Sequence, residues 1–191
     1  MRSLLFICFL LSYQFSMSQS PTVKFGTKNG SKYEVGIVER MKSLLNEHDL
    51  SKWIFTDTVL VEDHVIPHSH PVLTLSTRRM SNDDLLSTFI HEQIHWHGEA
   101  KDKEVRDAMK DLKTFYPEVP VGRPDGARDE FSTYLHLIVC YLEYKGMVEL
   151  VGKERAVAVM ESMNHYKWIY RQVLDYTDRI AGIVKKHDLD L

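Results

Sequence analysis

Apolar residues along this chain recur first at mixed periods and then, from about residue 81 onward, almost wholly at helical spacing. Gln19–Lys28 reads as an extended lead-in with Val23 and Phe25 alternating, closed by the turn signal Asn29-Gly30. From Ser31 to about His48, Val35, Val38, Met41 and Leu45 recur at three- and four-residue spacing. Tyr33, Ile37 and Leu44 widen that stripe, which predicts a helix capped by Ser31 and packed on a sheet. Trp53–Asp63 is rich in aromatic and β-branched residues, as a strand or hairpin would be. His64–Pro71 is a loop fixed by Pro67 and Pro71. Val72–Thr77 alternates apolar and hydroxyl residues, which suits a strand with one buried face.

Beyond Arg78 the helical period takes over. Ser81 or Asn82 caps a helix whose first turn carries Asp83 and Asp84, favourable at the positive end of the helix dipole. Leu85, Leu86, Phe89, Ile90 and Ile94 form its buried side, with Gly98 as the expected stop. Glu99–Phe115 is charged with a thin apolar stripe, the mark of a surface helix. Tyr116–Ala127, with its prolines and glycines, is a loop. Arg128–Lys145 is a largely buried helix ended by Gly146. Lys153–Met163 and His165–His187, the latter capped by Asn164, complete a helical C-terminal half. A small sheet region followed by helices is an α+β arrangement, here one domain over residues 19–191.

Composition narrows the class. The 191 residues are 43% hydrophobic and 27% charged, ordinary for a globular chain. A formal charge of −3 and the lack of any basic stripe argue against a nucleic-acid partner. The N-terminus has signal-peptide order: Arg2, the apolar run Leu4–Leu11, then small residues around a cleavage point after Ser18. The run is too short for a bilayer, so the expectation is a signal peptide over residues 1–18, a secreted or periplasmic product and no membrane span after cleavage. Cleavage would leave Cys140, in an apolar helical run, as the one cysteine. Asn29-Gly30-Ser31 matches a glycosylation acceptor, relevant only in a glycosylating host.

The candidate chemistry sits in Ser81–Gly98, where His91, Glu92 and His95 have the spacing H-E-x-x-H. Residues four apart on a helix share a face, so both imidazoles can ligate one Zn²⁺ while Glu92 lies one residue round, placed as a general base. The metal would lower the pKa of water to about 7, giving a nucleophile at neutral pH.

Through HEQIH at His91–His95 the sequence resembles the zincin metallopeptidases. The resemblance implies a zincin-like α+β fold: a small mixed sheet, an edge strand preceding the motif helix, and substrate peptide added along that strand, here Val72–Ser76. The metzincin extension H-E-x-x-H-x-x-G-x-x-H matches at Gly98 but ends on Lys101, which is no ligand while charged. His97 projects off the ligand face and reads as exposed or as a neighbour of the ligands. Gluzincins take a glutamate from a later helix, and Asp129-Glu130-Phe131 resembles that element, which makes Glu130 the expected third ligand. His136 is the competitor. It stands about 240° round the same helix from Glu130, so the two cannot both face one metal. His165, Tyr166 and Tyr134 are candidates to stabilise an oxyanion, with packing the favoured role for Tyr134; His64, His68 and His70 read as loop residues. The expectation is therefore a secreted zinc metallopeptidase. Two alternatives stay open: a zinc amide hydrolase acting on a non-protein or cell-wall substrate, and a non-catalytic helical binding module with a structural or degenerate metal site.

Overall fold

The computed structural model describes residues 22–191, so the expected signal peptide lies outside the described residues. The order of elements is β1 (Lys24–Thr27), α1 (Lys32–Glu47), a 3-10 turn (Ser51–Trp53), β2 (Thr58–Glu62), β3 (Leu73–Ser76), α2 (Asn82–Ala100), α3 (Asp102–Phe115), α4 (Glu130–Val151), α5 (Lys153–Ser162), α6 (Lys167–Asp175) and α7 (Thr177–Lys186). The α+β arrangement with a helical C-terminal half is present. The expected mixed sheet is instead parallel throughout the described residues, in the order β1-β2-β3. Lys24 pairs with Thr58 and Val59 with Leu73. The segment Trp53–Asp63 is thus a turn leading to one strand, not a hairpin. The first two strands are joined through α1, as parallel neighbours require.

Local chemistry explains where the helices begin. Ser31 accepts from Glu34 N–H, and the Glu34 carboxylate reaches back to the N–H groups of Ser31 and Asn29 at 3.1 and 3.0 Å. Ser81 and Asp84 form the same reciprocal cap at the start of α2. Helix ends agree less well with the sequence. Gly98 does not stop α2, which runs to Ala100. Gly146 does not stop α4 either. It lies inside the helix because a side chain there would crowd the Trp53 ring and Ile90, a Cβ meeting them at 3.2 and 3.3 Å. The helix ends at Gly152, whose φ of 87° suits glycine. The last helix is two, α6 and α7, meeting at Tyr176.

One core holds the sheet and bundle together, with Phe89, Ile90, Trp53, Leu137 and Ile169 among its fully buried members. At its centre α2 packs on α4, and α4 also meets α5, α6 and α7. β3 is buried on all four residues, so its hydroxyls are not a solvent face. Thr74 Oγ1 donates to Val72 O at 2.9 Å and Ser76 Oγ accepts from Arg78 N–H at 3.2 Å.

β3 is the edge strand expected before the motif helix, yet its outer side is already engaged. His68 N–H donates to Thr74 O at 3.1 Å and Thr74 N–H to His68 O at 2.8 Å, in antiparallel sense. The loop Pro67 and Pro71 were expected to fix therefore takes the backbone groups at Thr74 that an added peptide would need. Among the described residues no helix is long and apolar enough to cross a membrane.

The motif helix is tied to the approach to β2 by Gln93, one of the variable residues of H-E-x-x-H. Its buried amide oxygen accepts from Phe55 and Thr56 N–H at 2.7 and 2.8 Å, and its amide nitrogen donates to Thr56 O at 2.9 Å. Gln93→Met keeps the volume and strands these backbone groups. It should lower the unfolding free energy by about 2–4 kcal/mol, measured by chemical denaturation; a loss below about 1 kcal/mol would mean that water satisfies them.

Candidate metal centre

Two helical stripes face each other across the α2–α4 contact. On α2, Ser87, His91 and His95 succeed one another at four-residue spacing. On α4, His136, Cys140 and Glu143 do so at four and three, a spacing that keeps each set on one face. The helices run antiparallel here, since Ser87 meets Glu143 whereas His95 meets His136.

His91, His95 and His136 each present a ring nitrogen, all within 4.8 Å of one another, a group able to hold a metal ion. Ring centroids lie 5.1 Å apart for His91–His95, 5.5 Å for His91–His136 and 5.2 Å for His95–His136, close to an equilateral triangle. Two of the rings are oriented by their other nitrogen. His91 Nδ1–H donates to Glu143 Oε2 at 2.8 Å, and His136 Nδ1–H donates to the carbonyl of Ser132, one turn earlier, at 2.6 Å. In both, Nε2 is left as a lone-pair donor, the tautomer a metal ligand needs. Burial, reinforced by the neighbouring rings, holds the histidines neutral: His91 and His136 are pushed down to about 3 and His95 to about 2.

Glu143 has saturated its carboxylate. Besides His91 it accepts from the Ser87 hydroxyl and, at 3.0 Å, from Tyr170 O–H. Burial raises it to about 7, with Ser87 and Tyr170 opposing. His91, Cys140 and Glu143 also lie close enough to share an ion. Burial pushes the Cys140 thiol well up, however, and Glu143 is taken by its donors, so this trio reads as a hydrogen-bonded support.

Glu92 is buried, and burial together with the Glu143 charge raises it to about 8. It lines, with His91, a cleft of about 260 Å³ whose other walls include Arg78, Arg123, His165 and Tyr166. Tyr166 has φ 53°, uncommon for a residue with a side chain. Its ring lies 4.4 Å from that of His136 and 4.9 Å from that of His165.

Glu130, expected as the third ligand, is elsewhere. It opens α4 with its side chain 54% exposed and its carboxylate bonded to Lys113 Nζ at 2.6 Å. The buried stripe of α4 passes through His136, and Glu130 lies off it by the same rotation that made the two mutually exclusive; it is His136 that lies within reach of His91 and His95. Tyr134 is a packing residue, its hydroxyl donating to Tyr116 O at 2.5 Å. His97 is buried and not exposed, with Nε2 donating to Leu189 O at 3.2 Å and so docking the C-terminal segment. Lys101, where a metzincin would have histidine, bonds Asp188. His70 is bound to Glu99 and stacked on Trp96, away from the three-histidine group.

Glu143 was not singled out from sequence, although a signal exists: a carboxylate in an otherwise apolar helix, seven residues after a histidine, shares its face. Compared with known proteins, the chain matches no protein-family model, no curated protein and no solved structure.

The buried titratable groups set the acid response of the metal-free protein. His91, His95 and His136 stay neutral when folded, whereas unfolded histidines take protons below about 6.5, so stability falls as pH drops from there towards about 3. Glu92 and Glu143 act oppositely. They keep protons when folded that the unfolded chain loses above about 4.5, so stability falls as pH rises towards 7 and 8. Denaturation midpoints of chelator-treated protein should therefore peak near pH 6–7 and drop most steeply below about 4.5, where the histidines act unopposed. A midpoint constant from pH 7 to 4 would contradict the neutral-histidine assignment.

Proposed function

We propose that the chain is a zinc-dependent hydrolase of peptide bonds, with His91, His95 and His136 as the metal-holding residues and Glu92 as the general base. The observation that carries this reading is the convergence of three neutral, lone-pair-bearing imidazoles beside a buried carboxylate at the wall of a cleft. Three nitrogen donors with no fourth protein ligand among the described residues suit a catalytic site, since structural zinc takes a closed set of four. The resemblance of HEQIH to the zincin motif supports the same assignment, with the third ligand a histidine in place of the glutamate of the gluzincin pattern. When bound, zinc supplies Lewis-acid activation of water.

The protein groups then have separable tasks. Glu92, buried beside His91 at the cleft wall, accepts a proton from water and returns it to the departing nitrogen. Glu143 and the Ser132 carbonyl orient two of the imidazoles. Tyr166, with its phenol raised to about 12 by burial, keeps its O–H and can donate to an oxyanion at the cleft. Placement of substrate along Val72–Ser76 is not supported, because Thr74 is engaged by His68; the cleft is the better entrance.

Metal analysis tests the ligand set. Purified protein dialysed against limiting zinc should hold about one ion per chain, Glu130→Ala should keep it and His136→Ala should lose it. The reverse pattern would restore the glutamate and remove the histidine. For the reaction, Glu92→Gln should retain zinc and lose peptide hydrolysis by about 10²–10⁴-fold in kcat; undiminished turnover would sink the mechanism.

A further inference from the structure

The cleft beside His91 is small, and its charged lining comprises Arg78, Arg123, Glu92 and Glu143. At about 260 Å³ it falls below the usual range for drug-sized ligands, so it admits the end of a chain more readily than a length of one. Two exposed arginines line it, Arg78 from the connection after β3 and Arg123 from the 116–127 loop, and neither forms an ion pair among the described residues. Both come from well-anchored positions. Arg78 donates through Nε and Nη2 to His64 O at 3.3 and 3.2 Å, which fixes the plane of its guanidinium. The loop bearing Arg123 is closed by Gly122 N–H to Ala127 O at 2.6 Å and Gly126 N–H to Gly122 O at 2.8 Å, and Lys167 N–H holds Pro124 O at 3.0 Å. It is packed to contact at Gly126, where a Cβ would lie 2.0 Å from Pro120 O.

Glu143 is saturated by Ser87, His91 and Tyr170, and the Thr88 hydroxyl donates to Asp84 O at 2.8 Å. Tyr166 adds an O–H donor to the wall, and Asn164 an amide that can donate or accept. Glu92 is the one carboxylate left, and its task is the proton. Two anchored cations without a carboxylate partner among the described residues select an anion, and guanidinium groups match a carboxylate in geometry as well as charge. The edge of β3, the usual seat for the middle of an extended peptide, is engaged at Thr74.

We infer that the cleft receives the C-terminal end of a peptide, its free α-carboxylate held by Arg78 and Arg123 with the last peptide bond beside Glu92, so that the enzyme removes residues from the C-terminus. This rests on the peptidase reading above. In the step, the oxygen of water bonds to the carbonyl carbon of the last peptide bond and the C–N bond breaks. Glu92 carries the proton from water to the departing nitrogen, and the products are a shortened peptide with a new carboxylate and one free amino acid.

The test uses the zinc-loaded full chain and two peptides of one sequence, one ending in a free carboxylate and the other in a carboxamide. The acid should be hydrolysed with kcat/KM at least about tenfold higher, and mass spectrometry should find the released C-terminal residue. In the Arg78→Ala/Arg123→Ala variant that preference should shrink to within about twofold, chiefly through KM of the acid. Equal rates on the two peptides, or a preference that survives the double substitution, overturns the inference. If neither peptide is cleaved, the hydrolase reading fails by itself and binding decides the carboxylate site. N-acetyl-phenylalanine should then bind zinc-loaded Glu92→Gln protein at least about tenfold more tightly than its amide, with the difference lost when both arginines are removed. Equal binding of acid and amide overturns the carboxylate site as well.

Discussion

The arrangement of the centre depends on a single buried carboxylate. Glu143 receives hydrogen bonds from Ser87 and His91 on α2 and from Tyr170 on α6, so three helices converge on two oxygen atoms. A buried carboxylate is costly unless its lone pairs are filled, and an imidazole with a free rotor would not hold its Nε2 in one direction. Each problem resolves the other. The donors make the carboxylate tolerable in the core, and the carboxylate fixes the His91 tautomer. The short residue Ser87 allows the approach, and the antiparallel crossing of α2 and α4 brings His136 opposite His95 at the other end of the same seam.

Much of this was legible in sequence where a pattern is local. The Ser31 and Ser81 caps, the stripe of α1, the strand before the motif and the H-E-x-x-H helix all follow from residues within a turn or two of each other. Errors came where a residue's meaning depends on what lies opposite. Gly98 and Gly146 look like helix stops, but the second is a point of close approach to Trp53 and Ile90, chosen for space and not for backbone freedom. Glu130 fits the gluzincin pattern at a helix start. Which face of α4 turns towards α2 is decided by the apolar residues around His136, and a carboxylate six residues earlier cannot follow it there. The hydroxyls of β3 suggested an open face and proved to be buried and bonded locally. The parallel sense of the sheet was equally hidden, because it depends on the path of the connections and not on the strands.

Gln93 shows how closely the motif and the scaffold are joined. Between His91 and His95, Gln93 points away from the three-histidine group and anchors the helix to residues 55–56. The face that carries chemistry and the face that carries structure alternate along one helix, so the position of His91 and His95 is inherited from the core through the residues that separate them.

The His68–Thr74 pairing has a further consequence. An exposed strand edge is a template for any extended chain, another copy of the same protein included. By laying its own loop against β3, the molecule withdraws that template at Thr74. The loop paired with Thr74 thus guards against edge-to-edge association of sheets, and it brings Ile66 and Pro67 into the lining of the cleft.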